Sequence, residues 1–266
     1  MIGNITLGQY IPGESVLHRL DPRTKLIWTA ILMVAVFIMD SWQEYVMMGA
    51  FILLLIFTSN IPVKHSLKGI KPLLFILALT AVLNIFFFPG TALFTIGPVK
   101  VTYEGLIAAV KLFIRLVMLI MAASLMTLTT TPMAMTDGIE KMLKPLEKIG
   151  VPAHEIAMMM AIALRFIPTL MEETERIMKA QASRGADFDT GSIFKRVKSF
   201  IPVLVPLFIS AFKRADELAE AMESRCYRGS KGRTRMKQIS FTTLDLKASL
   251  VGLIFVALVF GTRIIF

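Results

Sequence analysis

The sequence predicts an all-α integral membrane protein, with about five transmembrane helices and three further cytoplasmic or interfacial coupling helices, two of them long arms. Three observations carry that expectation. Hydrophobic residues make up 55% of the 266 residues and the mean hydropathy is +0.68, above what soluble domains ordinarily reach. The apolar residues gather into five runs separated by polar breaks. The stretch 132–244 holds most of the charge, in helical segments too long for a compact soluble domain.

The first apolar run, 26–39, lies between Arg23/Lys25 and Asp40/Glu44, and the second, 45–61, follows after a short polar break. A basic loop with Lys64, His65 and Lys68 leads to the third, 73–88, which ends at Pro89-Gly90. A turn-rich segment containing Gly97-Pro98 precedes the fourth, 106–128, and the last covers 246–260 before Arg263. With its flanks, each run approaches the ~20 residues that a helix needs to cross a bilayer. Lys111 and Arg115 in the fourth run are four apart and share a helix face. They either snorkel to the outer boundary or face a polar bundle interior, and a structural role is favoured over a transport role.

Loop charges set the expected orientation. Arg19, Arg23 and Lys25 precede the first run, and Lys64, Lys68 and Lys71 separate the second from the third. The first and second runs are joined without Lys or Arg, and the third and fourth with Lys100 alone. Positively charged loops stay inside, so the N-terminus is expected in the cytoplasm. Four crossings return the chain to that side near Thr130, and the fifth leaves the C-terminus outside. The predicted layout is a four-span membrane region over 1–131, a cytoplasmic coupling region over 132–244 and a final transmembrane helix over 245–266.

Three helical segments are expected within the coupling region. The first, 134–149, stops at Gly150-Val151-Pro152. The second, 153–184, has Gly185 placed as a C-terminal glycine. The third, 193–226, is expected to kink or break near Pro202 and Pro206. At 1.5 Å per residue the last two each approach ~50 Å. Each grows more charged toward its C-terminal end, with Glu172, Glu173, Glu175, Arg176 and Lys179 on one arm. The other carries Lys213, Arg214, Asp216, Glu217, Glu220 and Glu223.

Both arms end in Ser-Arg. Arg184 follows Ile177 by seven residues and Arg225 follows Leu218 by seven, nearly two whole turns, so each arginine continues its apolar stripe. A cation at a helix C-terminus is favoured by the macrodipole by about 0.3–1 kcal/mol, which accounts for one such arginine. It does not account for two matching ends. A permanently charged planar fork also suits a carboxylate or backbone carbonyls in a partner's groove. The chain has no Gly-Lys dipeptide and therefore no Walker A loop, so nucleotide chemistry, if used, belongs to another subunit.

The stretches GQYIPGESVLHRLDPRTKL (8–26), TLTTTPMAMTDGIEKMLKPL (127–146), ALRFIPTLMEETERIMKAQASRGADF (163–188) and AMESRCYRG (221–229) together resemble the transmembrane T component of energy-coupling factor (ECF) transporters. These are the vitamin-importing relatives of ABC transporters, and the resemblance covers essentially the whole chain. It implies a T subunit that passes ATP-driven motion of two ABC-type ATPase subunits to a vitamin- or micronutrient-binding S component. In that family two X-Arg-X motifs end the coupling helices and dock on the ATPases. The matching positions here are Ser183, Arg184 and Gly185, and Ser224, Arg225 and Cys226. The motifs are often Ala-Arg-Gly, so the second departs at both flanks while keeping the arginine. One or several membrane-embedded S components are implied as partners on the arms' apolar surface, with Met158, Met159, Met160, Leu170, Met171, Phe208 and Phe212 as the expected contacts. ATP and Mg are implied on the ATPase subunits, with no cofactor bound by this chain, no catalytic residues and no metal.

Other classes fit less well. The net charge of +10 matches cytoplasmic loops of a membrane protein better than a nucleic-acid surface, so no nucleic-acid partner is expected. Three widely spaced histidines form no visible metal cluster, and a single cysteine excludes a disulfide within the chain. Cys226 is expected to be buried or shielded rather than reactive. A secondary transporter would carry more ionisable residues deep in its spans, and usually an internal repeat. Prenyl-diphosphate, H-E-x-x-H and G-x-S-x-G motifs of intramembrane enzymes are missing. The nearest alternative is the permease of a conventional ABC transporter, distinguished by whether a separate small membrane subunit binds the substrate.

Overall fold

The computed structural model describes residues 10–87, 89–96, 99–188, 190, 192–229 and 240–265. Phe88, the Gly97-Pro98 turn, the start of the first quoted motif and most of the basic tail after Gly229 lie outside the described residues. The chain forms α1 (Val16–Arg19), α2 (Pro22–Ile38), α3 (Trp42–Ser59), α4 (Val63–Ser66), a 3₁₀ stretch (Leu67–Leu73) and α5 (Leu74–Phe87). A two-stranded antiparallel hairpin follows, β1 (Ala92–Ile96) and β2 (Val99–Thr102), where sequence reasoning expected only turns. Then come α6 (Tyr103–Thr129), α7 (Pro132–Leu143), a second 3₁₀ stretch (Lys144–Ile149), α8 (Ala153–Ser183), α9 (Ile193–Ser224) and α10 (Thr243–Ile265). The architecture is helical, as the composition predicts.

Five of the described helical stretches are long and apolar enough to cross a bilayer: α3, the stretch Val63–Phe86, α6, α8 and α10 over Thr243–Thr262. The set differs from the expected one by an exchange. At 17 residues α2 spans about 26 Å, the lower limit for a crossing. It starts at Pro22 and ends where Met39 turns extended. The arm α8 qualifies because its first half is as apolar as a span, although its second half is charged. Two further expectations change. The helix expected over 134–149 gives way to a 3₁₀ stretch at Lys144, next to Pro145, which has no N–H to continue an α-helical ladder. Conversely, α9 runs unbroken through Pro202 and Pro206, and α8 through Pro168. A missing N–H costs one ladder bond per proline, and the rest of a helix of more than 30 residues carries on.

The chain divides into two compact units. One comprises 8–138 and 239–266, and its core is a seam between α2, α3 and α6. Leu32, Ala35, Val36 and Met39 meet Tyr45, Met48, Ile52 and Ile56, with Met118 and Met121 between them. These positions recur every three or four residues, so each helix commits one stripe to the seam. Large apolar side chains such as Phe37, Val46, Phe57 and Phe75 point outward, the arrangement of helices whose solvent is lipid.

Polar side chains close both ends of this bundle. At one end, Asp21 caps α2 by accepting from the Arg23 N–H at 2.9 Å, and its own N–H donates to Asp245 Oδ1 at 2.7 Å. Asp245 Oδ2 accepts from the N–H and hydroxyl of Thr242, at the start of α10. Lys25 Nζ donates to the carbonyls of His18 and Thr129 and to Thr130 Oγ1, at 3.3, 3.0 and 3.2 Å. The beginning of α2 is thereby tied to the end of α6 and the beginning of α10. At the other end, Lys111 Nζ donates to the Asp40 carbonyl at 2.6 Å and Arg115 Nη2 to the Met39 carbonyl at 2.5 Å. These carbonyls, beyond the last turn of α2, have no partner within the helix. The structural role expected for Lys111 and Arg115 is therefore the capping of the α2–α3 connection.

Candidate functional site

The second unit contains the two long arms, α8 and α9. They pack on each other, and one ion pair crosses between them: Arg214 Nη2 donates to Glu173 Oε2 at 2.5 Å. Both side chains are about a quarter to a third exposed, so water screens the pair incompletely. The intrahelical pairs Lys179–Glu175 and Lys213–Glu217 are far more exposed and contribute little.

The two arms end in the same hydrogen-bonded turn. On α8 the Gly185 N–H donates to the Ala182 carbonyl at 2.9 Å and the Ala186 N–H to the Gln181 carbonyl at 3.0 Å. On α9 the Cys226 N–H donates to the Glu223 carbonyl at 2.8 Å and the Tyr227 N–H to the Met222 carbonyl at 3.0 Å. This pair of bonds defines a Schellman motif, with its left-handed residue directly after the arginine. Gly185 fills that position with φ +88° and Cys226 with φ +57°. A β-carbon in the left-handed region costs about 1–2 kcal/mol, so the cysteine at the end of α9 is tolerated rather than favoured. Both serines bond back into the helix, Ser183 Oγ to the Lys179 carbonyl and Ser224 Oγ to the Ala221 carbonyl.

Arg184 and Arg225 thus occupy equivalent cap positions. Both are exposed, and neither guanidinium has a hydrogen-bond or ion-pair partner among the described residues. Ile177 and Leu218, two turns earlier, are half-buried, so burial along each stripe stops before the arginine. Cys226 is exposed, contrary to the expected shielding, because the left-handed turn carries it off the end of α9.

The expected contact residues divide by exposure. Phe208 and Phe212 on α9 are 61% and 69% exposed, and Met159 on α8 is also exposed, whereas Met158, Met160, Leu170 and Met171 are half-buried. Phe194, Val197, Ile201 and Val205 extend the Phe208–Phe212 line toward the start of α9 and are likewise exposed. They follow a spacing of three to four residues, a signal legible in the sequence that the expected contact set left out. Sequence reasoning also missed the Glu173–Arg214 pair, reading both residues only as part of the charge that each arm gains toward its C-terminal end. Their spacing held the clue. Each lies eleven residues before its helix-terminal arginine, three turns and about 20°, so pair and arginine lie along nearly the same line.

These features define a multi-pass α-helical membrane protein that carries two equivalent arginine-bearing helix ends on its second unit. Comparison with known proteins identifies the kind. A family model described as cobalt transport protein, CbiQ, matches residues 13–236. The energy-coupling factor transporter transmembrane protein of Ruminiclostridium cellulolyticum is 55% identical over 266 residues, all of both chains. The protein of the same description from Thermosediminibacter oceani is 57% identical over 244 residues, 92% of each chain. That of Bacillus subtilis is 45% identical over 264 residues, 99% of this chain and 100% of the relative. The chain belongs to the EcfT family, the transmembrane components of energy-coupling factor transporters.

Proposed function

We propose that this chain is the coupling subunit of an ATP-driven importer, passing motion from two ABC-type ATPase subunits to one or several membrane-embedded S components that bind a vitamin or another micronutrient. The observation that carries this reading is the duplicated helix end. Two arginines sit at the same cap position of the same turn, exposed and unpaired among the described residues, on two arms braced together by Glu173 and Arg214. A lone arginine is explained by the helix dipole, but a matched pair on joined levers fits two like partners.

Ser183, Arg184 and Gly185 dock on one ATPase and Ser224, Arg225 and Cys226 on the other. ATP and Mg are held by those partners, and this chain contributes no catalytic group. The S component lies on the arms' apolar surface, with Phe208, Phe212 and Met159 as its first contacts and Met158, Met160, Leu170 and Met171 reached as the arms shift. The N-terminus is cytoplasmic. Four crossings through α2, α3, α5 and α6 form the membrane region over 1–131. The arms in 132–244 stay on the cytoplasmic side, and the final helix in 245–266 takes the C-terminus outside. On this reading α8 lies at the membrane surface rather than across it, because a crossing by its apolar first half would draw Arg165 into lipid.

Replacing Arg184 and Arg225 together by alanine tests the reading. The double variant is expected in the membrane at normal abundance, with ATPase co-purification and substrate uptake both reduced at least tenfold. Unchanged recovery of the ATPases together with unchanged uptake would overturn it.

A further inference from the structure

The bundle of 8–138 and 239–266 contains a cavity of about 410 Å³ beside the seam, whose Leu32 and Ile52 form part of its wall. Five elements line it: α1, α2, α3, α6 and α10. The lining residues come from one end of each of four long helices: 24–32 at the start of α2, 51–58 at the end of α3, 122–129 at the end of α6 and 244–252 at the start of α10. The cavity therefore occupies the portion of the bundle about 12 Å deep from the end where α2 begins. Half-exposed Val16, Leu54 and Val251 show that it opens to the surface.

Its walls are apolar apart from a few threonines and two charged residues, Lys25 and Lys247. Both are cationic, and no carboxylate lines the space. Lys25 is saturated by its three oxygen acceptors. Lys247 is exposed and has no hydrogen-bond or ion-pair partner among the described residues. A space of this size and polarity does not hold water well, and left empty it forfeits the dispersion contacts of its lining. A helix 10–12 Å across would fill it with about one turn, too little for a docked segment. A flexible hydrocarbon chain with an anionic head fits both the apolar body and the unpaired cation.

We propose that this cavity is a binding site for an anionic phospholipid, one acyl chain lying among α2, α3, α6 and α10 and the phosphate at Lys247. Trp28 reports on it directly. Its indole lines the cavity and is held by a hydrogen bond from Nε1 to Ser249 Oγ at 3.0 Å. Gly252 leaves the room its ring fills, since a β-carbon there would come within 2.7 Å of the ring.

The test uses the full chain carrying Trp42→Phe, which leaves Trp28 as the single tryptophan of the two in the sequence. The protein is reconstituted into phosphatidylcholine vesicles containing increasing fractions of brominated phosphatidylglycerol or brominated phosphatidylcholine, and Trp28 quenching is followed. Brominated phosphatidylglycerol is expected to reach half-quenching at about a fivefold lower fraction, the preference one lysine near a membrane surface provides. Lys247→Gln should bring the two curves together, while unchanged Trp28 emission without bromine shows that the bundle is intact. Ala248→Phe, which narrows the cavity, should weaken quenching by both lipids. Coincident curves before the lysine is changed would mean ordinary annular contact and overturn the proposal. So would a preference that survives Lys247→Gln, or the absence of quenching by either lipid, which would mean that protein occupies the space.

Discussion

Glu173 and Arg214 join the two arms at 2.5 Å, and each lies eleven residues before the arginine that ends its own helix. The brace is therefore equidistant from Arg184 and Arg225, about 16 Å along either arm. A cross-link placed so makes the two ends move together. If the two helix ends dock on ATPases as proposed, this keeps the docking points at a set separation while each is pushed.

Glu173→Arg alone, or Arg214→Glu alone, places like charges at the crossing and is expected to lower uptake severalfold while the ATPases still co-purify. Exchanging the two charges should restore most of it. A double-mutant cycle on thermal stability is expected to return a coupling of about 1 kcal/mol, the scale of an incompletely screened pair. Additive effects in that cycle would show that the pair does not act as a unit.

Lysine at position 184 or 225 keeps the charge and loses the planar fork. If docking uses the fork, Arg184→Lys and Arg225→Lys should each reduce ATPase recovery by an intermediate amount, between wild type and alanine. Equal recovery for lysine and arginine would assign the effect to charge alone. Titrating co-purification against salt separates the two, because a screened point charge weakens faster than a bidentate contact.

Cys226 adopts a left-handed backbone in a position its counterpart fills with glycine. Cys226→Gly is expected to leave the turn intact and stabilise the end of α9 by up to about 1 kcal/mol, some of the left-handed cost being offset by glycine's greater freedom in the unfolded chain. Cys226→Val should destabilise it by more than that, since a β-branched side chain tolerates positive φ poorly. Hydrogen exchange at the Cys226 and Tyr227 amides, which close the turn, is the direct measurement. The exposed thiol should also react readily with a maleimide in the isolated chain and be protected once an ATPase is bound.

Lys25 serves three acceptors from two segments of the chain, and losing it leaves buried oxygens without donors. Lys25→Ala is expected to destabilise the bundle by about 2–3 kcal/mol, read as a lower unfolding temperature of the purified protein in detergent. Arg115→Leu should act at the opposite end, speeding hydrogen exchange of the α2–α3 connection with a smaller effect on global unfolding.

Much of this molecule could be read before any coordinates. Apolar runs located the membrane helices because lipid demands long uninterrupted hydrophobic segments and tolerates no exposed backbone. Helix-stop chemistry located the ends of both arms within a residue or two, because Gly185 and the Ser-Arg repeats signal local hydrogen bonding that needs no distant partner. Exposure and pairing were not legible in the same way. Whether Phe208 faces outward, or Lys111 caps a loop 71 residues away, depends on which helix stands beside it.

The division follows the range of the forces. Composition, periodicity and turn residues act within a few residues along the chain, so the helical membrane architecture and the two arginine-ended arms are written locally. The meeting of Glu173 with Arg214, the anchoring of Lys25 at Thr129 and the cavity beside Trp28 join residues far apart in the chain. Such contacts exist only once helices have chosen their neighbours, because a side chain's partner is set by the packing around it and not by its position in the chain.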